Sequence, residues 1–493
     1  MQPNEISEAI RLAGLPAPDS DIEITGSDPI YYSPFRLGEG AAVVHALVGS
    51  KIDELWKLAG HEPQKLDIDI RHAAASLNSM SWLSLEKMPE NFRNQSMTRI
   101  YRCGDGRFFH LHNSFVDGPV VANYLGIDED ADVATIAEVM AEQDAFELEK
   151  SLIALKVTGA VVRSPEEWLA HPQGQILADR PVVEITKIGD APIESPKAGA
   201  RPLSNLRVLD LTRVLAGPTS ARTLAEHGAQ VLHVSSPNLP TMMMAEMDTG
   251  HGKRQAHLDL TKREDETRLL ELVKDVDVFN QGFRKGTLDK RGFGPEAMAE
   301  LRPGIIYVSE NCYGHHGPWA ERPGWEQLAQ TVSGVAQLQG ELAPLAPDHE
   351  RAIAAGDNPS VPRLAPAPMN DYSTAYFAAY GVLDALRRRA TEGGSWHVQV
   401  SLTQTAMWYL RLGMNSNAEV EQIAPMGAET NIFSKGLRKD ALYKLIEEGS
   451  GLASELGIEH FFESHDTDYG KMRHLAPVLQ MSATKPYWSS GAR

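Results

Sequence analysis

The sequence predicts an α/β fold in which a Rossmann-like domain stands beside a smaller α/β domain. Three observations point there. The apolar run Leu206 to Leu211 meets a turn containing Gly217 and Pro218, after which Ala221 to His227 reads as a helix and Gln230 to Val234 as a second strand. Further along, Ile305 to Ser309 is another apolar strand. Finally, a helical stretch runs to Arg389 and passes through Gly393-Gly394 into the strand Trp396 to Leu402. A β-turn-α-β unit leaves main-chain N–H groups at the helix start facing outward, ready for an anion. No G-x-G-x-x-G follows the first strand, so a dinucleotide fingerprint is absent.

The elements before this unit are justified in order. Residues 1–35 are polar and Pro-rich and read as an irregular lead-in. Apolar spacing at Val44, Leu47, Val48, Ile52, Leu55 and Trp56 predicts a helix over Ala41–Leu58. Leu66 to Ile70 alternates as a strand, and His72 to Leu83 reads as helical. Gly106 to His112 is a strand, Ile136 to Leu155 is helix-rich, and Asp190 to Pro202 is a linker of Pro, Lys and Gly. Shifting the chain on itself aligns Ala41–Ile70 with Asp371–Val400 without a gap, so that helix, turn and alternating strand coincide. This suggests a degenerate second copy in the N-terminal part, with Ala41 standing where Asp371 stands in the other. Two unrelated helix-strand units would give the same pattern.

The 493 residues allow two to four domains. Hydrophobic residues at 42% and charged residues at 23% suit a soluble globular protein. A formal charge of −19 excludes bulk attraction to nucleic acid or anionic lipid. An anionic ligand therefore needs a local cluster, such as Lys253-Arg254, Arg284-Lys285 or Lys290-Arg291. Two cysteines, Cys103 and Cys312, make no disulfide framework, and no Cys-His spacing resembles a zinc site. His315-His316 lacks a third ligand, so no metal ligands are expected. The first 30 residues have no basic and apolar leader pattern, and no run of 18 apolar residues occurs, which makes the cytoplasm the expected compartment.

Several motifs, in order over about 200 residues, resemble the class III CoA-transferase family (the CaiB/BaiF type). Arg207-Val208-Leu209-Asp210-Leu211-Thr212 through Ala216-Gly217-Pro218 is similar to the family's opening. Gly252-Lys253-Arg254 with Leu258-Asp259-Leu260, and Asp277-Val278 through Phe283-Arg284-Lys285-Gly286, resemble its next two steps. Tyr313-Gly314 with Gly317-Pro318, then Pro323-Gly324-Trp325-Glu326, follow in the family's order, and Asp371 stands where the family carries its nucleophile. Gly159 to Gly174 resembles the family's small domain, but displaced to the front. The resemblance implies a degenerate family-like segment over 1–190, a linker over 191–203 and a CoA-binding domain over 204–493, with a short C-terminal part. Family members form interlocked dimers, so a homodimer is implied.

The resemblance also implies site residues. Without it, Asp371 reads as a helix N-cap. With it, Asp371 is the catalytic nucleophile, kept ionised by the helix start, that attacks an acyl-CoA thioester. Glu326 reads either as a solvated helix residue or as a second catalytic carboxylate. Phe283 is either a core residue or the platform for adenine. Leu215, Ala216 and Gly282 fall at CoA contacts, and Lys253, Arg254, Arg284 and Lys290 fall where the family binds phosphates; each charge alone would read as solvated surface. Leu215 replaces a glutamine of some members, Gly282 replaces an asparagine, and no run of glycines follows Leu402. The implied function is CoA transfer between an acyl-CoA and a small carboxylic acid, with CoA as substrate and no prosthetic group. A racemase of the same fold would need a histidine where Trp325 stands, and a non-catalytic CoA-binding protein remains the third reading.

Overall fold

The computed structural model describes residues 1–85, 96–196, 199–341, 362–422 and 457–492. Its strands, in chain order, are β1 (Asp21–Thr25), β2 (Lys65–Asp69), β3 (Ser84–Leu85), β4 (Arg99–Arg102), β5 (Phe108–Leu111), β6 (Gly159–Val161), β7 (Val183–Gly189) and β8 (Arg207–Asp210). They continue with β9 (Gln230–Ser235), β10 (Lys253–His257), β11 (Val278–Gln281), β12 (Ile306–Asn311), β13 (Ser395–Ser401), β14 (Phe462–Thr467), β15 (Gly470–Leu475) and β16 (Gln480–Met481). Five helices matter most here: α1 (Pro3–Leu12), α2 (Leu37–Leu58), α3 (Ala216–Glu226), α4 (Glu326–Ser333) and α5 (Met369–Glu392).

A seven-stranded sheet with the order β10-β9-β8-β11-β12-β13-β7 dominates the fold. Its first six strands are parallel. Their apolar runs, such as Val208-Leu209 and Ile306-Tyr307-Val308, are buried, as a sheet covered on both faces requires. β7 closes the edge antiparallel to β13. Strand order reverses between β8 and β11, which leaves a crevice at their C-terminal ends. The α/β class with a mixed but mainly parallel sheet is thus the expected one.

α5 is the central helix. It packs on β13 and β7 and against α2 and α3. Gly381 makes the approach to the sheet possible, because a Cβ there would lie 2.4 Å from Val398 and 2.9 Å from Val183. At the start of α3, a Cβ on Gly217 would lie 2.4 Å from Thr212, so the turn after β8 closes only around glycine. Pro218 sits in the first turn of the same helix, where its missing N–H removes no helical bond.

Three smaller sheets surround this layer. β4, β5 and β6 pair antiparallel over a separate core that includes Phe109, Ile136, Leu148 and Val161. β1 and β2 are parallel, and β16 joins them antiparallel, Met481 opposite Leu66. β14 and β15 form a hairpin beside β3. The main core is one cluster whose members include Ile6 near the start and Ala492 near the end of the chain.

Two local expectations need correction. The lead-in is not irregular: α1 buries Ile6, Ala9 and Ile10, and β1 pairs with β2. α1 begins with Pro3, and Glu5 Oε2 accepts from the Gln2 N–H at 2.6 Å. Its single apolar turn was too short to outweigh the surrounding polar residues until Trp408 Nε1 donates to the Ala9 carbonyl at 2.9 Å. The helix expected over His72–Leu83 is Ile70–Ser76, followed by a 3-10 turn at Ser79–Trp82.

Candidate active site

The turn after β8 is held from below by a buried polar knot. Asp210 Oδ2 accepts from Lys253 Nζ at 2.9 Å, and the same Nζ donates to the Pro218 carbonyl at 2.7 Å. Asn280 Nδ2 bridges Asp210 Oδ1 at 3.2 Å and the Gly217 carbonyl at 3.1 Å. Burial pushes the Asp210 carboxyl up, but Lys253 and the hydrogen bonds hold it below its usual range. Lys253 is therefore committed to the interior: at 2% exposure its charge meets Asp210, not a phosphate. This corrects its expected role.

Above the knot, Val214 adopts φ +67°. A β-branched residue in the left-handed region is a true outlier, costing about 1–3 kcal/mol. Leu215, next to it, lines a pocket together with Val214, Trp325, Glu326 and Asp371. Glu326 is the first residue of α4 and Asp371 lies in the first turn of α5. Asp371 is not the N-cap itself; Pro368 takes that position. Two helix N-termini thus aim a carboxyl each at one pocket.

Glu326 is buried. Its Oε1 accepts from Gln330 Nε2 at 2.7 Å and from the Asn370 N–H at 3.3 Å. Its Oε2 has no partner among the described residues. Burial pushes Glu326 up to about 7 despite those bonds. Asp371 is held well above the carboxylate range by burial, by Glu326 and by Glu310. Asp371 was expected to be ionised because it lies at a helix start. A helix start is worth about 0.3–1 kcal/mol at an exposed site, and burial beside two more acids outweighs it. The pair titrates as a unit.

The far wall comes from the N-terminal part of the chain. His112 stacks on Trp325 with ring centroids 6.0 Å apart, and Phe115 meets the same ring edge-on at 5.5 Å. Trp325 Nε1 donates to Ser114 Oγ at 2.7 Å. Ser114 and Phe115 both have positive φ, 47° and 61°, so this wall is also a strained loop.

The other expected positions divide into two groups. Ala216, Gly282 and Phe283 lie with Leu215 at the C-terminal ends of β8 and β11, the switch point of the sheet. Phe283 is half-buried and Gly282 is exposed, where a Cβ would lie 3.9 Å from Thr212 Cγ2. Arg284 and Lys290 are exposed on the following segment. Arg284 donates to the Lys156 carbonyl at 3.0 Å, another bridge to the N-terminal part. Arg254 is exposed on the outer strand β10, two strands from β8, and does not join the switch-point group.

Three residues near the pocket were not singled out from sequence. Glu310, at the C-terminal end of β12, is pushed up to about 8 by burial and by Asp210. Its signal was available: acids at the carboxyl ends of parallel strands face the ligand crevice. Asn370, beside Asp371, is fully buried and sets its side chain against the Glu326 carboxyl. His112 carried no local signal.

Residues 203–435 match the sequence model of CoA-transferase family III. An acyl-CoA transferase of Gibberella moniliformis is 30% identical over 96% of this chain and 89% of its own length. The acetyl-coenzyme A transferase nodX of Hypoxylon pulicicidum is 31% identical over 71% of this chain and 61% of its own. The succinyl-CoA–L-malate CoA-transferase alpha subunit of Chloroflexus aurantiacus is 29% identical over 56% of this chain and 59% of its own.

Proposed function

This chain belongs to CoA-transferase family III and is a CoA-transferring enzyme, and from that premise we propose that Asp371 is its nucleophile in exchange between an acyl-CoA and a small carboxylic acid. One observation carries the assignment: Asp371 and Glu326 project from two helix starts into one pocket, beside the switch-point turn.

The ionised Asp371 oxygen attacks the thioester carbonyl carbon; the C–S bond breaks, CoA leaves as thiolate, and an aspartyl-acyl anhydride remains. The thiolate then attacks the Asp371 carbonyl carbon, displacing the donor acid as carboxylate and leaving an aspartyl-CoA thioester. The acceptor carboxylate repeats the first attack on this thioester, and the released thiolate takes the new acyl group and frees Asp371. Charge and electrons balance without a redox step. When the coupled pair holds one proton and that proton rests on Glu326 Oε2, Asp371 is ionised and Glu326 hydrogen-bonds the developing oxyanion.

We assign CoA to the switch-point crevice. Its pyrophosphate would face the N–H groups at the start of α3, Phe283 would carry the adenine, and Arg284 and Lys290 would meet phosphate. The succinyl and malate groups named for the Chloroflexus relative support small carboxylic acids as partners. The family reading also implies a homodimer, which light scattering on the eluted protein checks. The decisive test is mass spectrometry of the protein incubated with an acyl-CoA pool and a carboxylate panel. Exchange with a hydroxylamine-sensitive adduct on Asp371 supports the mechanism; an adduct mapping elsewhere overturns it.

A further inference from the structure

Away from this pocket, three histidines distant in sequence converge. His251 lies in the turn Gly250-His251-Gly252, just ahead of β10, while His465 and His474 lie on the β14–β15 hairpin. One ligand atom from each lies within 4.8 Å of the others. Such spacings place a common centre within about 2.8 Å of every nitrogen, against a zinc–imidazole bond of about 2.0–2.1 Å, so only small side-chain shifts are needed.

The orientation of the rings adds a second observation. His251 is 1% exposed, and neither ring nitrogen has a partner among the described residues. A buried imidazole left in that state is destabilising unless something meets its lone pair. Its ring lies 4.0 Å from that of His474 and against Trp488 at 5.3 Å, so it is held in the cluster. His474 Nδ1 faces the Leu475 carbonyl at 2.9 Å. That contact places the proton on Nδ1 and leaves a lone pair on Nε2, the second-sphere arrangement that orients metal-ligating histidines. Nε2 points at His465 Nδ1, 2.7 Å away. Moving the His465 proton to its other nitrogen frees a third lone pair.

The surroundings tolerate a cation. Glu463 stands opposite His474 in the hairpin register, with Oε1 buried and unpartnered. Arg222, which shares the Trp488 ring, is already neutralised by Asp248 Oδ1 at 2.8 Å. Three nitrogen donors disfavour calcium and magnesium, which require oxygen, and suit late first-row divalent ions.

We propose that His251, His465 and His474 bind a divalent zinc-type ion that ties the C-terminal hairpin to the turn ahead of β10. The ion clamps β14–β15 to the segment that delivers Lys253 to Asp210. Its role is structural and separate from acyl exchange.

The full chain, prepared without a histidine tag and stripped with a chelator, is titrated with zinc by calorimetry and with cobalt by visible absorption. Expected are one zinc per chain, tetrahedral cobalt bands and a rise in Tm with zinc. His465→Ala, half-buried and so the variant best able to keep the fold, should weaken zinc binding at least 10–100-fold, since outer-sphere losses alone reach that range. Its circular dichroism should match the parent. Absence of stoichiometric zinc in the parent, or equal binding in a folded His465→Ala, overturns the site. His474→Ala is a second check: folded with full zinc affinity, it has the same consequence.

Discussion

Asp371 must lose a proton in a setting that favours keeping it. Burial, Glu326 and Glu310 all hold Asp371 above its usual range, so exchange should fall as pH is lowered and rise as it is raised. Replacing Glu310 with Gln removes one negative neighbour and should move that rise to lower pH, read from kcat/KM profiles. The same groups act on stability with the opposite sense. A carboxyl raised in the folded state gives stability that is complete below its unfolded value of about 4.3 and lost as pH climbs through the folded value. With Glu326 at about 7 and Glu310 at about 8, Tm of the ligand-free enzyme should decline from pH 5 to 8.5, and less steeply in Glu310→Gln. Asp371→Asn should reduce turnover by a factor on the order of 10⁴ while CoA still binds by calorimetry. Phe283→Ala should weaken CoA by about 1–3 kcal/mol if the ring stacks on adenine, and unchanged affinity in a folded variant removes that contact. Lys253→Met leaves Asp210 buried and unpaired, so it should cost about 3–5 kcal/mol in urea unfolding. A surface phosphate ligand would show no such loss.

Elements were legible in proportion to how much of their stability is local. The β8–α3 unit was plain because an apolar run, a Gly-Pro turn and a helix follow one another. α2 and β2 were plain because their periodicities are long or regular. α1 was not, since its helix is completed by contacts with residues far along the chain, such as Trp408. The site divides in the same way. Asp371 and Glu326, which line one pocket, were singled out because each stands in a family-like motif at a helix start. Lys253 was misread because sequence reveals a charge but not its partner, and the histidine cluster was missed because its members meet only after folding. At this scale Gly381 is the informative probe. Gly381→Val would press a side chain into Val398 at the α5–β13 contact and should cost about 1–3 kcal/mol or more. The denaturation midpoint should drop, and Asp371 should move with its helix.

For the whole molecule, we read residues 1–190 as a degenerate family-like copy joined through 191–203 to the CoA domain. In both parts a long helix is followed by a strand, α2 by β2 and α5 by β13. The two helices pack on each other, and His112 and Phe115 complete the pocket of Asp371. A chain cut to residues 200–493 should therefore expose the α5 and β13 surfaces and aggregate, as judged by gel filtration. A monodisperse, active fragment would show the N-terminal part to be an appendage.

The pairing of β7 with β13 also sets a schedule. Val183 and Ile185 leave the ribosome early, yet their hydrogen-bonding edge belongs to a strand centred on Val398. At about 5–20 residues per second, the roughly 200 intervening residues take on the order of 10–40 s to emerge. Over that interval the nascent N-terminal part carries an unpaired strand edge, open to the same edge on a neighbouring chain. Yield in the cell therefore depends on keeping young chains apart during translation as well as on the stability of the finished enzyme.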